Sequence, residues 1–408
     1  MKAGCEPGRL IRARHILPVT SPPIEDGAVL VRNGKIEWVG KWRDAPGGQP
    51  QDAGEVVIFP AFVNAHCHLD YTVMRGAILP PSSFAGWIAR INDLKRTLGN
   101  ADYVDSIEMG LRESQTAGTG TILNIESFPE LLPLIGGTGP RVYWFLELLD
   151  IRSRLATDEL VRGCLAFFEG NGLFGLSPHA PYSTSAGLYA AAADCCRARG
   201  MPLCTHLAET WEEYEMFVSG TGPLHDLLAR IGRPAGDLGG ASPVRRILGN
   251  GLLPHGAILA HMNCLDDGDW EIVRSRAGTF SVVHCPGCHA YFGRPPFPLG
   301  KFLEAGVNVC LGTDSLASNR SLSMFEEIRA VLRAHPWLPV PAALHMATRA
   351  GAAAVGGAFG AVEPGFAADL VAIPAEGDPH ESIVRWQGAP IWISSGGRSG
   401  QETPDGDK

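Results

Sequence analysis

Residues 56–70 read VVIFPAFVNAHCHLD, and this stretch decides how the whole chain is interpreted. An apolar, strand-like run leads directly into His66 and His68, which occupy alternate positions. Because side chains alternate between the two faces of a β-strand, both imidazoles are expected on the same face. Two imidazoles that converge on one point provide part of a metal site, so the other ligands have to come from elsewhere in the chain.

The composition is that of an ordinary globular protein and excludes several classes. The chain has 408 residues, of which 45% are hydrophobic and 19% charged, and its net charge is −9. This charge provides no basic surface, so nucleic-acid binding is not expected. No apolar run is long enough to span a membrane, and the start lacks a signal-peptide pattern. The ten cysteines are scattered, which predicts free thiols in a reducing cytoplasm.

Strand-like runs alternate with helical stretches over most of the chain, a pattern typical of a parallel α/β sheet. Ligand-type residues stand where these runs end. In a (β/α)8 barrel the carboxyl ends of the strands ring one mouth, where active sites are built. We therefore predict an α/β fold with a (β/α)8 TIM barrel. Its first strand ends at His68, and the others are expected at 119–125, 141–148, 173–177, 202–205, 257–260, 279–283 and 307–312.

The two flanks of this barrel are strand-like rather than alternating. Asn33-Gly34 separates the apolar runs 28–31 and 36–39, which predicts a hairpin, and 368–373 is a similar run after the barrel. We expect the flanks to join into a small β-sandwich domain. The predicted division is 1–58 and 359–393 for the small domain, 59–358 for the barrel and 394–408 for a disordered tail.

The predicted strand ends supply a complete set of metal ligands. His66 and His68 end the first strand, His206 follows the fifth, and Asp314 follows the eighth. Three imidazoles and a carboxylate suit one divalent ion, Zn²⁺ first and Fe²⁺ second. Such an ion lowers the pKa of a bound water towards about 7 and makes hydroxide available at neutral pH.

Two further residues at or just after predicted strand ends are candidates for catalysis beside this set of ligands. Glu209 lies three residues after His206, where it could carry a proton between water and a substrate nitrogen. His261 ends the sixth predicted strand and could stabilise charge that develops in the transition state.

Taken together, the motifs resemble the amidohydrolase superfamily, in its cytosine-deaminase-like and chlorohydrolase-like branch. The matching segments are NAHCH at 64–68, SPHAPYS at 177–183, HLAE at 206–209, LAH at 259–261, HCP at 284–286 and LGTDS at 311–315. The resemblance implies one metal ion held by the four ligands above, with Glu209, His261 and Asp314 as catalytic groups. It also implies that metal-bound hydroxide attacks a ring carbon bearing an amino group and that ammonia leaves.

Within this superfamily the chain looks most like the aminodeoxyfutalosine deaminases, through segments 209–213, 284–286, 291–293 and 311–319. That resemblance implies hydrolysis of the amino group of a 6-aminopurine nucleoside in an alternative route to menaquinone. Such a substrate carries a benzoate carboxylate, which calls for a cation in the pocket. The substrate-binding candidates are therefore His179, Trp87, Ser318, Arg152 and Arg294, with Arg75 as a third possible cation.

Some positions depart from the family pattern. The loop 76–87 contains no acidic residue, which counts against S-adenosylhomocysteine or methylthioadenosine as substrate, because deaminases of S-adenosylhomocysteine often place a ribose-binding Glu there. His289 stands where relatives often have Asn. Cys285 and Cys288 form a Cys-x-x-Cys pair, for which we favour a pocket-lining loop over metal or redox chemistry.

Other functions stay open at this point. The chain could act on another amino or chloro heterocycle, such as guanine, cytosine or an s-triazine, or it could be a non-catalytic barrel scaffold. Glu209 favours an amine leaving group, because departing ammonia needs a proton and chloride does not. A small-molecule substrate is expected, with no nucleic-acid or membrane partner, and a homodimer is possible by analogy with similar barrels.

Overall fold

The computed structural model describes residues 8–136, 139–151, 155–168 and 172–396, and its strands and helices alternate over most of the chain after the first six strands. The strands are β1 Arg9–Ile16, β2 Ile24–Arg32, β3 Lys35–Lys41, β4 Gln51–Asp52, β5 Val56–Pro60, β6 Phe62–His68, β7 Thr119–Glu126, β8 Arg141–Leu148, β9 Leu173–Pro178, β10 Cys204–Leu207, β11 Ala257–His261, β12 Phe280–His284, β13 Asn308–Leu311, β14 Asp314–Ser315, β15 Asp369–Pro374 and β16 Ile391–Ser395. The helices are α1 Phe84–Lys95, α2 Asn100–Thr116, α3 Thr157–Leu165, α4 Ala186–Arg199, α5 Trp211–Ser219, α6 Pro223–Arg230, α7 Asp267–Ser275, α8 Pro286–Tyr291, α9 Leu299–Glu304, α10 Met324–Ala334, α11 Val340–Met346, α12 Arg349–Ala354 and α13 Pro379–Arg385.

Two parallel sheets contain all the strands predicted for the barrel, so the α/β class is confirmed. One sheet has the order β14-β6-β7-β8-β9 and the other the order β10-β11-β12-β13. A parallel bridge between Leu176 and Leu203 links the end of one sheet to the start of the other. At the opposite end, β14 follows β13 and pairs with β6 through Asp314 and Cys67. These links bring the ligand-bearing strand ends to one side.

A third, mixed sheet joins the two flanks of the chain in the order β16-β15-β5-β1-β2-β3, with β4 beside β1. The predicted hairpin is present, since Arg32 pairs with Lys35 across Asn33 and Gly34, whose φ angles are 50° and 69°. The flanks thus meet in one sheet, and their arrangement as a sandwich stays a prediction. Strand β16 extends to Ser395, beyond the predicted start of the tail, and residues 397–408 lie outside the described part.

Strand β6 is buried along its whole length, which fits a strand covered on both faces. Phe62 in β6 packs against Phe59 and against the edge of Phe325 from α10, with ring centroids 5.5 and 4.8 Å away. Burying a phenylalanine side chain of this kind contributes roughly 1.5–3 kcal/mol each. The strand that carries the first two ligands is therefore anchored in the core.

Helix α1 is fixed at its start by side chains that satisfy its free backbone N–H groups. Ser83 Oγ accepts a hydrogen bond from Gly86, and the Glu212 carboxylate of α5 accepts from Phe84 and Ala85 at 2.7 and 2.9 Å. Capping of this kind stabilises a helix by about 1 kcal/mol, and an acidic group also complements the helix dipole. This matters for the site because α1 carries Trp87 and Lys95.

Among the described residues, no helix combines the length and the apolar character needed to cross a bilayer. The cysteines in the same part of the chain, from Cys67 to Cys310, are free thiols, as the sequence predicts.

Candidate metal centre and substrate cavity

The predicted ligands come together from three strands. His66 and His68 lie at the end of β6, His206 lies in β10, and Asp314 begins β14. Because β14 pairs with β6, Asp314 sits directly opposite Cys67, between the two β6 histidines. All four side chains are buried.

Their ligand atoms converge closely enough to share one ion. His66, His68 and Asp314 each offer an atom within 4.8 Å of the others, and so do His66, His206 and His261. The Nε2 atoms of His68 and His206 are 3.2 Å apart, and Asp314 Oδ1 is 3.5 Å from His66 Nε2. His66 is fully buried, yet none of the described residues forms a hydrogen bond with either of its ring nitrogens. An unpartnered buried polar group is costly, so these residues fit a divalent metal ion well.

Neighbouring groups orient the ligands. His206 Nδ1 lies 2.9 Å from the backbone oxygen of His179, which leaves Nε2 directed at the other ligands. Ser318 Oγ donates to Asp314 Oδ2 at 3.0 Å. Outer contacts of this kind fix the rotamer and tautomer of a metal ligand.

Asn64 and Thr313 join the two ligand-bearing segments. Asn64 Nδ2 donates to Thr313 Oγ1 at 2.8 Å, and the Thr313 backbone N–H donates to Asn64 Oδ1 at 3.0 Å. The close approach also requires Gly312, because a Cβ atom there would lie 2.8 Å from the backbone nitrogen and oxygen of His66.

The electrostatics keep the ligands in the protonation states that bind metal. Burial lowers the pKa values of His66 and His68, so both imidazoles are neutral at physiological pH. For Asp314, burial alone would raise the pKa, but the nearby imidazoles of His66 and His261 hold the pKa well below its usual range. A neutral imidazole and an ionised carboxylate are the metal-binding forms.

Glu209 lies next to this centre, just after β10. Its backbone is held on both sides, because its N–H donates to Glu213 Oε2 at 2.7 Å and its carbonyl accepts from Asn263 Nδ2 at 3.0 Å. Its Oε1 atom accepts a hydrogen bond from Arg294 Nη2 at 2.9 Å and lies 3.9 Å from His261 Nε2. Burial raises the pKa of Glu209, and the positive charge of Arg294 opposes that rise.

The backbone is strained where the strands end at the site. Ala208, His261, Met262 and Asp314 all have positive φ angles, between 51° and 76°. Non-glycine residues rarely adopt this region, and such strain concentrates at functional sites. The strain turns the chain sharply after the strands, which is how Glu209 and His261 reach the same space.

A cavity of about 780 Å³ opens from these residues, and its size suits a small-molecule ligand. Trp87 and His179, two of the predicted substrate-binding residues, line it together with Glu209, His261 and Asp314. Burial lowers the pKa of His179 to about 4, and its Nδ1 atom lies 2.6 Å from Ser183 Oγ. His179 is therefore a neutral hydrogen-bonding group in the wall of the cavity.

The other predicted substrate-binding residues lie elsewhere. Ser318 is fully buried against Asp314 and does not line the cavity. Arg294 is directed at Glu209, and Arg75 contacts Glu113 and the backbone oxygen of Arg320. Arg152 lies outside the described residues.

The charged residues that line the cavity and were not predicted are Asp93, Lys95, Arg96 and Glu147. Glu147, near the end of β8, accepts a hydrogen bond from Ser127 Oγ at 3.0 Å through Oε2, and its Oε1 lies 3.9 Å from His179 Nε2. Lys95, at the end of α1, also lines the cavity. Glu147 could have been found by the same rule as His66, since it is a polar residue near the carboxyl end of a strand. Lys95 gave no comparable signal.

The residues that departed from the family pattern have structural roles. His289 Nε2 lies 2.6 Å from the Pro295 backbone oxygen. Cys285 and Cys288 are buried free thiols, and burial raises their pKa values well above the usual range, which makes them unreactive. The raised pKa values agree with the preference against redox or metal chemistry. Neither cysteine is among the residues that line the cavity, however, so the pair is not the pocket-lining loop that the sequence predicted.

Comparison with known proteins identifies the family. Residues 57–390 match the Amidohydrolase family, so the chain belongs to it. A 5-methylthioadenosine/S-adenosylhomocysteine deaminase of Pyrococcus furiosus is 28% identical over 361 residues, which cover 85% of this chain and 81% of that protein. An aminodeoxyfutalosine deaminase of Deinococcus radiodurans is 32% identical over 334 residues, which cover 77% of each chain.

Solved structures show the same fold. Helicobacter pylori aminofutalosine deaminase, in complex with methylthio-coformycin, superposes with a TM-score of 0.84 at 22% identity, covering 95% of this chain and 99% of that one. An adenosine deaminase from Xanthomonas campestris with bound zinc gives a TM-score of 0.77 at 24% identity, covering 95% and 91%. At this level of identity the likeness shows the fold alone.

Proposed function

We propose that this protein is a metal-dependent aminohydrolase that removes the exocyclic amino group of a 6-aminopurine nucleoside, with aminodeoxyfutalosine as the first candidate substrate. The observation that carries the proposal is the convergence of His66, His68, His206 and Asp314 beside Glu209, at one end of a cavity of ligand size. These four residues would hold the ion, with Zn²⁺ first because three imidazoles and a carboxylate suit it. When bound, the ion would lower the pKa of water and so supply a nucleophile at neutral pH.

The protein side chains then handle the proton. Glu209, as a carboxylate, accepts a proton from the attacking water and passes it to the ring nitrogen beside the carbon under attack. Its fixed backbone and its contact with Arg294 hold the carboxylate in place for both steps. His261 lies 3.9 Å from Glu209 and faces the same ligands, so it is placed to stabilise the charge on the attacking oxygen.

The leaving group favours a deaminase over a chlorohydrolase. The amino nitrogen departs as ammonia only after it takes up a proton, because the amide anion is a poor leaving group. Glu209, after it has passed its first proton to the ring nitrogen, is a buried carboxylate that can move a second proton from the newly added hydroxyl group to the amino nitrogen. The names of the Pyrococcus and Deinococcus relatives, both deaminases of adenosine-like nucleosides, support the same choice. A non-catalytic scaffold would have no need to keep strained backbone and buried ionisable groups together at one point.

A carboxylate in the cavity weakens the sequence-based argument against methylthioadenosine and S-adenosylhomocysteine as substrates. The lack of an acid in the loop 76–87 argued against S-adenosylhomocysteine and methylthioadenosine. Glu147, however, supplies a carboxylate to the cavity from β8 and can accept hydrogen bonds from ribose hydroxyls. Methylthioadenosine and S-adenosylhomocysteine are therefore kept as second substrates to test.

We also propose that the two parallel sheets close into one (β/α)8 barrel, flanked by the small terminal domain. The Leu176–Leu203 bridge and the pairing of β14 with β6 support closure at the two seams. The homodimer stays a prediction.

The test is ammonia release by the zinc-loaded protein offered aminodeoxyfutalosine, methylthioadenosine, S-adenosylhomocysteine, adenosine, guanine and cytosine. We expect turnover of the purine nucleosides, with aminodeoxyfutalosine preferred, and no turnover by Glu209→Gln although it binds zinc equally. Lack of ammonia from all nucleosides, with zinc confirmed in the protein, would reject the proposal.

A further inference from the structure

The cavity is longer than the metal centre requires, and Lys95 lines a part of it that the proposed mechanism does not use. From His68, His206 and Asp314 the cavity continues to the residues around the end of α1 and the start of α2. The Lys95 ammonium lies over the Tyr71 ring, 4.5 Å from its centroid, and Tyr71 in turn stacks on His68 with centroids 5.6 Å apart. One aromatic ring therefore separates this cation from a metal ligand.

Lys95 forms no ion pair with any of the described residues, in contrast to its neighbour Arg96. Arg96 also lines the cavity, but it pairs with Asp93, and these side chains are 74% and 72% exposed. Lys95 is half-buried and, within the described part of the chain, has neither a hydrogen bond nor an ion pair within 4 Å. A positive charge in a partly enclosed cavity without a direct partner is suited to receive an anionic group of a ligand.

The surroundings of Lys95 combine apolar surface with buried acids. Tyr103 and Phe128 line the same part of the cavity, with ring centroids 4.2 Å apart, and offer a face to an aromatic or aliphatic linker. Asp70 and Glu147 are the carboxyl groups on which Lys95 exerts a marked electrostatic effect. A purely structural role for Lys95 would be to balance these two acids, so the test must separate the two roles.

We propose that Lys95 binds a carboxylate at the end of the substrate remote from the purine, and thereby selects 6-aminopurine nucleosides that carry an acidic side arm over neutral ones. This inference rests on the proposed function, since it deepens the substrate class of the same site. It assigns the carboxylate to a lysine on α1 rather than to the arginines that the sequence offered. The linker between ribose and carboxylate would lie along Tyr103 and Phe128.

The experiment compares kcat/KM for aminodeoxyfutalosine, which carries a carboxylate, with that for methylthioadenosine, which is neutral. Lys95→Met removes the charge and keeps an unbranched side chain. It should lower kcat/KM for the carboxylated substrate about 10- to 100-fold, the range of a charge-assisted hydrogen bond, and mainly through KM. The value for methylthioadenosine should stay within about twofold of wild type, since the neutral ligand makes no such bond.

Two variants serve as controls. Lys95→Arg should restore most of the preference, because it returns the charge to the same place. Arg90→Met removes a charge from the same helix at a residue that does not line the cavity. It should leave kcat/KM unchanged for both substrates. If Lys95→Met lowered kcat/KM equally for both substrates, Lys95 would have the structural role of balancing Asp70 and Glu147. An unchanged kcat/KM for the carboxylated substrate would also overturn the proposal.

Binding measurements separate this inference from the proposed function. If the wild-type protein released no ammonia, the proposed function would fail, and calorimetric titration of the zinc-loaded protein with the same two nucleosides would still test Lys95. We expect Lys95→Met to weaken binding of the carboxylated nucleoside alone. Equal affinities of the variant and the wild type for it would reject the assignment.

Discussion

Replacing Arg294 by Met should impair turnover of every substrate, because Arg294 supports Glu209 rather than the ligand. The Nη2–Oε1 distance is 2.9 Å, and the two side chains are only 10% and 7% exposed. An exposed pair contributes about 0–1 kcal/mol, but removing one partner of a buried pair leaves an uncompensated charge and costs about 3–5 kcal/mol. The Glu209 carboxyl group can avoid part of that cost by taking up a proton, and it then no longer serves as the base.

The direction in which the pH dependence of activity shifts follows from the loss of the positive charge of Arg294. Burial already raises the pKa of Glu209 and Arg294 opposes the rise, so loss of Arg294 raises that pKa further. Because the carboxylate form is the active one, the acid limb of kcat/KM should move to higher pH. Activity should therefore fall more at pH 6 than at pH 8.

The assay is kcat/KM from pH 5 to pH 9 for wild type, Arg294→Met and Arg294→Lys, on a carboxylated and a neutral nucleoside. Arg294→Lys keeps the charge and should move the acid limb less. If the loss were confined to the carboxylated substrate, with the acid limb unchanged, Arg294 would be a substrate-binding residue and the reasoning from the ion pair would be refuted.

Three further substitutions probe the supports of the site. Ser318→Ala removes the hydrogen bond to Asp314 and should weaken zinc binding about 10- to 100-fold, measured in competition with a chelator. An unchanged affinity for zinc would argue against a role of Ser318 in orienting Asp314. Gly312→Ala forces a Cβ against the His66 backbone, so we expect lower zinc content and a lower Tm, and a variant with full zinc would contradict the packing argument. Glu147→Gln should reduce kcat/KM for adenosine more than for 2′,3′-dideoxyadenosine, and equal losses would exclude hydroxyl recognition.

The strands and the convergence of His66, His68, His206 and Asp314 could be predicted because both depend on local patterns. Alternation along a strand places His66 and His68 on one face, and a parallel fold brings the ends of distant strands together. The prediction therefore needed only the strand positions, which apolar runs mark clearly. The boundaries moved by one or two residues, for example β10, which begins at Cys204.

The partners of charged residues could not be predicted, because they depend on where the loops turn. Arg294 and Arg75 looked equally available in the sequence, yet each is directed at a glutamate, Glu209 and Glu113. Lys95 stands in the last turn of a helix, where a basic residue is common for reasons of helix dipole alone. Its position in the cavity wall follows from the placement of α1, which the sequence does not reveal.

The pairing of β14 with β6 sets the order in which the metal centre can form during synthesis. Strand β6 is complete at His68, but Asp314 follows roughly 250 residues later, which at about 5–20 residues per second is roughly 12 to 50 seconds of translation. Until then the nascent chain carries the three imidazoles of the predicted set without its carboxylate. Asp314 is thus the last of the four predicted ligands to leave the ribosome, so the complete set exists only in the finished fold and not in the emerging chain.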